Sequence, residues 1–236
     1  MSAPVFNFYQ AVPKKYGTGY DQTYQTFDEY RIKFPTRMAI VGASGQGKTN
    51  IAMNIIYGTK VWTRYYLCVK SPDEPLYRLF TEMCRKLEKK SGREILTVLT
   101  DPDELPPVDE FDEKQRTLVL FDDVITDAKA KLKHIANFWV RGRKQGITTM
   151  FLSQSFFQIP KLIRDNTDIL ILRGVLGRRD LKLILSEFAS DKTLPELLDM
   201  YNKANATNGI TDFFLIDKSI GTPPEYRYRH NFAPIE

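Results

Sequence analysis

The sequence predicts an α/β fold in which a mainly parallel central sheet is flanked by helices. Three observations carry that expectation. Short apolar runs alternate with segments of helical period along nearly the whole chain, the pattern left by strand–helix–strand crossovers. Thr117-Leu118-Val119-Leu120-Phe121 is continuously apolar rather than alternating, as a strand covered on both faces requires. Met38-Ala39-Ile40-Val41 leads through a glycine-rich loop straight into apolar residues at helical spacing from Asn50 to Tyr57. In such sheets the chemistry gathers at the carboxyl ends of the strands.

The elements follow in order. Residues 1–33 read as an aromatic-rich N-terminal arm, with Phe6, Phe8, Tyr9, Tyr16 and Tyr20 broken up by Pro4, Pro13, Gly17 and Gly19. Its last part, Glu29 to Phe34, alternates polar and apolar residues and predicts an edge strand ending at Pro35. Residues 34–220 are expected to form one domain. After the strand at 38–41 and the helix from Asn50, the pattern predicts a strand at 65–69, a helix at 75–90 and a strand at 95–99. Asp101 to Asp112, rich in proline and acids, reads as a loop open to movement. The strand at 117–121 follows, then a helix at 127–140, a strand at 148–153, a short helix at 160–165 and a strand at 168–172. Helices at 178–188 and 194–204 precede a last strand at 212–216. Residues 221–236 read as a tail.

Composition narrows the class. The chain has 236 residues, 42% hydrophobic and 27% charged, enough for one substantial core and typical of a globular protein. No stretch reaches the roughly 18 consecutive apolar residues that a membrane span needs, so stable membrane insertion is not expected. The N-terminus lacks a basic segment followed by an apolar one, so no secretory signal is expected. Cys68 and Cys84 show no metal-ligand or redox spacing and read as reduced thiols. A net charge of +5 and a pI near 9.0 suit a polyanionic partner without requiring one. Arg85, Lys86, Lys89 and Lys90 suit a solvated helix end, and Arg178, Arg179 and Lys182 a helix start.

Gly42-Ala43-Ser44-Gly45-Gln46-Gly47-Lys48-Thr49 spells G-x-x-x-x-G-K-[ST], the phosphate-binding loop. Its four constrained positions arise by chance in about one chain in a hundred of this length, before the correct strand and helix flanks are counted. The loop's glycines let backbone N–H groups turn inward around phosphates, and the helix N-terminus adds partial positive charge. Lys48 is expected to reach the phosphates of ATP, and Thr49 to ligate Mg²⁺. Asp122 and Asp123 end the apolar strand about 75 residues on. One acid there suits Mg²⁺ through its water shell, and the next suits the water that attacks the γ-phosphate. Gln154 ends another strand with an amide that both donates and accepts, as a γ-phosphate sensor must. Arg141 and Arg143, at the end of a helix, fit either a favourable pairing with the helix dipole or an arginine finger, worth about 10³–10⁵ in rate.

Together, the phosphate loop, the strand ending in two aspartates, the Arg-Gly-Arg segment and the strand ending Ser153-Gln154 resemble the FtsK/HerA superfamily of P-loop motors. Within it they are most similar to the poxvirus-type DNA packaging ATPases of large double-stranded DNA viruses and virophages, over roughly Phe34 to Leu172. The resemblance implies a RecA-like (ASCE-type) core whose sensor strand lies between the acid strand and the phosphate-loop strand. It implies a pentameric or hexameric ring that moves double-stranded DNA into a preformed capsid and meets capsid or portal-vertex proteins. The location implied is the host cytoplasm, a viral factory or the virion. Lys48 and Thr49 then bind phosphate and Mg²⁺, Asp122 supports the metal, and Asp123 replaces the family's catalytic glutamate with a side chain one methylene shorter.

Other readings bear on the same residues. A GTPase needs N-K-x-D, and Asn202-Lys203-Ala204-Asn205 lacks the aspartate. A second glycine-rich signature of the ABC type is also missing. A nucleotide or small-molecule kinase with a lid near Arg178 and Arg179, another helicase-like translocase, and a non-motor ATP-binding scaffold remain as alternatives. For DNA contact, Lys129, Lys131 and Lys133 are candidates, as are Arg227, Arg229 and His230, although each group equally suits a solvated surface.

Overall fold

The computed structural model describes residues 30–124, 129–174, 177–189, 191–206 and 211–235. The aromatics expected in the arm lie outside these residues, as does the expected helix start at Asp127. The elements are β1 (Arg37–Gly42), α1 (Lys48–Thr59), β2 (Arg64–Val69), α2 (Pro75–Ser91), β3 (Leu96–Leu99), β4 (Thr117–Asp122), α3 (Lys129–Arg141) and β5 (Ile147–Ser153). There follow α4 (Lys161–Asp165), β6 (Ile169–Arg173), α5 (Arg178–Phe188), α6 (Leu194–Ala204), β7 (Phe214–Asp217), β8 (Tyr228–His230) and β9 (Ala233–Pro234).

Among the described residues the strands form one sheet in the order β3-β2-β4-β5-β1-β6-β7-β8-β9. The first six pair in parallel and the last three antiparallel. Side chains alternate across the sheet, as the two-residue period of a strand dictates. Met38 and Ile40 join Leu118, Leu120, Met150 and Leu152 in a core with α1 and α2. Ala39 and Val41 join Val119, Phe121, Phe151, Leu170 and Leu172 in a second core with α3, α5 and α6. Thr117 to Phe121 of β4 are all buried, which explains why that strand reads as a continuous apolar run, and all seven residues of β5 are buried as well.

Helix α2 shows how local sequence fixes an element that later bears on the site. Pro75 occupies its first turn, where a missing N–H costs nothing. The Glu74 carboxylate accepts hydrogen bonds from the backbone N–H groups of Leu76 and Tyr77, at 2.9 and 3.2 Å. Gly92 ends the helix in the left-handed region. Near that end, Glu88 accepts from the N–H groups of Ile95 and Leu96 at 2.8 and 2.9 Å, tying α2 to β3. The Leu96 and Ile95 donors, with Arg85, hold the Glu88 carboxyl down to about 2.

Three segments differ from the sequence expectation. Residues 31–34 form no strand. Arg31 has φ 46°, which breaks the extended alternation, and the carbonyls of Tyr30 and Arg31 accept from the Arg229 guanidinium at 2.8 and 3.1 Å rather than from a neighbouring strand. The 101–112 segment is held by two short 3-10 turns with Leu105 and Val108 buried in the core. Within 221–236, expected as a tail, β8 and β9 extend the sheet.

Arg229 anchors this last extension. It is 0% exposed, donates to Asp217 Oδ2 at 2.7 Å and to the Tyr226 carbonyl at 2.6 Å. It is therefore a structural cation and not a DNA contact, because its charge is consumed inside the fold. Asp217→Ala is expected to strand that buried charge and destabilise the protein by about 3–5 kcal/mol. Pairing Asp217→Leu with Arg229→Met is expected to cost less than either single change, read as urea unfolding midpoints.

Candidate nucleotide site at the carboxyl edge of the sheet

The order β4-β5-β1 brings three functional segments to one edge. Ser153 pairs with Val41 and Leu152 with Asp122, so Gln154 emerges between the acid pair and the start of the phosphate loop. β5, the strand that leads to Gln154, thus lies between the other two, the strand order the resemblance implies.

The loop's geometry follows from its glycines. An added Cβ at Gly42 would lie 2.2 Å from the carbonyl oxygen of Arg173, so only glycine lets β1 leave the sheet beside β6. Gly47 has φ 79° at the N-cap of α1, a left-handed conformation that glycine adopts without a Cβ clash. Having no side chain, it leaves the first-turn N–H groups uncapped, and those donors with the helix dipole favour an anion. Lys48, the first residue of α1, folds back to donate to the carbonyls of Gly42 and Ala43 at 2.9 and 3.1 Å.

Electrostatics couple the loop to β4. Burial lowers the Lys48 pKa, opposed by the charges of Asp122 and Asp123. Burial likewise raises that of Asp122, opposed by a hydrogen bond from Tyr77 and by the charge of Lys48. Each charge is therefore disfavoured by desolvation and supported by the other. Asp123 is exposed and has φ 55°, a region aspartate tolerates better than most residues with a Cβ. The chain turns there, lifting Asp123 off the strand.

The structure also places groups that the sequence did not reveal. Tyr77, 2% exposed, donates from Oη to Asp122 Oδ2 at 2.6 Å, with the Thr49 side chain close by. Burial first, then the charge of Asp122, pushes the phenol's pKa up. Arg173, at the carboxyl end of β6, donates to Asn205 Oδ1 at 3.1 Å. The only signal for Tyr77 was its place in the first turn of a helix following a strand. Its partner lies 45 positions away.

Gln154 is exposed. Just around it, Ser153 Oγ donates to the Ser155 carbonyl at 2.8 Å and accepts from the Ser155 N–H at 3.3 Å, a local turn that bends the chain at the amide. Arg141 and Arg143 are not brought to this edge. Arg141 ends α3 and Arg143 lies in the turn before β5, at the amino ends of the strands, where Arg37 of β1 donates to the Trp139 carbonyl at 3.2 Å. A strand length of roughly 20 Å separates them from the phosphate loop of the same chain. Arg141 pairs with Asp109 at 2.5 Å on the surface.

Asp122, hydrogen-bonded to Tyr77, and Thr49 close to the same phenol present hard oxygen donors. Among the described residues no group of three or more His, Cys, Asp or Glu is placed to hold an ion. That donor set fits Mg²⁺, which commonly takes one or two protein ligands and completes its shell with phosphate oxygens and water. It does not fit an all-protein cage. Among the described residues no helix is long and apolar enough to cross a membrane.

Solved structures share this fold. The genome packaging NTPase B204 from Sulfolobus turreted icosahedral virus 2, in complex with ATP-gammaS, is similar with a TM-score of 0.56 at 12% identity, over 86% of this chain and 100% of that one. The DNA-packaging ATPase B204 from Sulfolobus Turreted Icosahedral Virus is similar with a TM-score of 0.53 at 13% identity, over 86% and 98%. No curated protein matches the sequence. The family model for the Poxvirus A32 protein matches residues 25–227, most of the chain, and the chain belongs to that family.

Proposed function

We propose that this chain is an ATP-hydrolysing motor that translocates double-stranded DNA into a viral capsid. The observation that carries the reading is the convergence of the phosphate loop, the acid pair and Gln154 on three adjacent parallel strands. Membership of the Poxvirus A32 protein family and a fold shared with genome packaging ATPases support it. One of those relatives is described with a bound ATP analogue, which favours ATP as the substrate here.

The residues then divide the work. Backbone N–H groups of 42–49 and the Lys48 ammonium bind the β- and γ-phosphates. Thr49 and Asp122 hold Mg²⁺, which when bound neutralises charge on the phosphate oxygens. Asp123 orients a water and accepts its proton as the water oxygen bonds to the γ-phosphorus. The bond from that phosphorus to the β–γ bridging oxygen breaks, leaving ADP and phosphate. Gln154 hydrogen-bonds the γ-phosphate and reports its loss to the loop after β5. Because Arg141 and Arg143 lie far from their own chain's loop, a guanidinium from this segment acts on a neighbour's site, in a ring of five or six copies. Capsid or portal-vertex proteins complete the assembly.

Lys48→Ala is expected to cut ATP turnover at least about a hundredfold, the scale for losing one electrostatic donor at a reacting oxyanion. Asp123→Asn is expected to keep nucleotide affinity while turnover falls by about 10²–10⁴. Steady-state phosphate release, with and without duplex DNA, checks both. Purified protein with no turnover under either condition would overturn the motor reading, and phosphoryl transfer to a small-molecule acceptor would favour a kinase. Arg141→Ala and Arg143→Ala are expected to bind nucleotide, and mixing the finger variant with Lys48→Ala to recover turnover. If neither variant recovers turnover at any mixing ratio, the shared site is wrong.

A further inference from the structure

We propose that Tyr77 is a positioning residue for the metal–phosphate site, holding the Asp122 carboxylate in one arrangement beside Thr49 before Mg²⁺-nucleotide arrives. The proposal rests on the nucleotide-site reading above. The phenol Oη lies 2.6 Å from Asp122 Oδ2, with the Thr49 side chain close by. It engages one carboxylate oxygen, so rotation of the Asp122 side chain at the end of β4 is restricted. A ligand whose rotamer is fixed in advance loses less freedom on binding.

The phenol is itself held. Glu74 accepts from the Tyr77 backbone N–H at 3.2 Å, and Glu88 ties the far end of α2 to β3. The ring is buried in the core beneath α2 with Phe80 and Cys84. Beside Asp122, the N–H of Lys70, just past β2, donates to the Asp122 carbonyl at 3.3 Å, so backbone and side chain of the acid are both fastened from the β2–α2 side. A tyrosine needed only to fill this slot requires its ring and some partner for its hydroxyl. Here the partner is the carboxylate expected to meet the metal.

The test is the Mg²⁺ dependence of nucleotide binding, followed with a fluorescent ATP analogue in the full chain. Tyr77→Phe keeps the ring and removes the hydroxyl. The Mg²⁺ concentration at half-maximal binding is expected to rise about 10- to 100-fold, the usual scale for losing an outer partner of a metal ligand. Affinity measured in EDTA is expected to stay at the wild-type value. A folded Tyr77→Phe variant with the wild-type Mg²⁺ midpoint would falsify the proposal, as would an equal loss of affinity with and without Mg²⁺. If Tyr77→Phe does not fold, Tyr77→Met, whose flexible side chain adapts to an irregular gap, is read against the same midpoint. A wild-type chain that binds no nucleotide in either condition overturns the nucleotide-site reading itself, whereas Mg²⁺-dependent wild-type binding with an unmoved variant midpoint overturns the role of Tyr77 alone.

Discussion

The parallel register of β4, β5 and β1 is the constraint on which the site depends. Parallel strands need crossovers, the crossovers place helices on both faces, and the faces must then be apolar. Polar chemistry is left to the ends of the strands. Because β5 sits between β4 and β1, the three carboxyl ends emerge side by side, and residues as distant in sequence as Gly42, Asp122 and Gln154 become neighbours.

At that edge the energetics oppose unaccompanied charge. Burial pulls both Lys48 and Asp122 toward their neutral forms, and each supports the charge of the other. A triphosphate with its cation adds charge of both signs to such a place, in keeping with uncapped first-turn N–H groups at α1 and a carboxylate already bonded to Tyr77. The loop backbone obeys steric limits as strict as the electrostatic ones. Gly42 has the Arg173 carbonyl against it, and Gly47 sits where a side chain would be strained.

The far side of the sheet is closed by different means. Beyond β6 the strands turn antiparallel, which short connections permit. Arg229 then draws Asp217 and the carbonyls of Tyr30, Arg31 and Tyr226 together. One buried guanidinium thereby joins residues 198 positions apart and holds 30–31 against the last strands. A buried ion pair is weak evidence for net stability, but its geometry fixes which segments meet.

The sequence by itself determined the sheet class, the order of its principal strands and helices, and the phosphate loop, because these rest on local rules: hydrophobic period, glycine where a backbone must turn, and a fixed spacing of eight residues. It placed Asp122, Asp123 and Gln154 at strand ends for the same reason. Tertiary structure alone decided that Tyr77 meets Asp122, that Arg173 backs Gly42, that Arg229 is interior rather than available to DNA, and that residues 31–34 do not form a strand. It also put Arg141 and Arg143 at the opposite end of the sheet from their own loop. Those outcomes depend on contacts between distant positions, where no local period records the partner. A buried arginine and an exposed one look alike in sequence until the fold supplies, or withholds, an aspartate and a set of carbonyls.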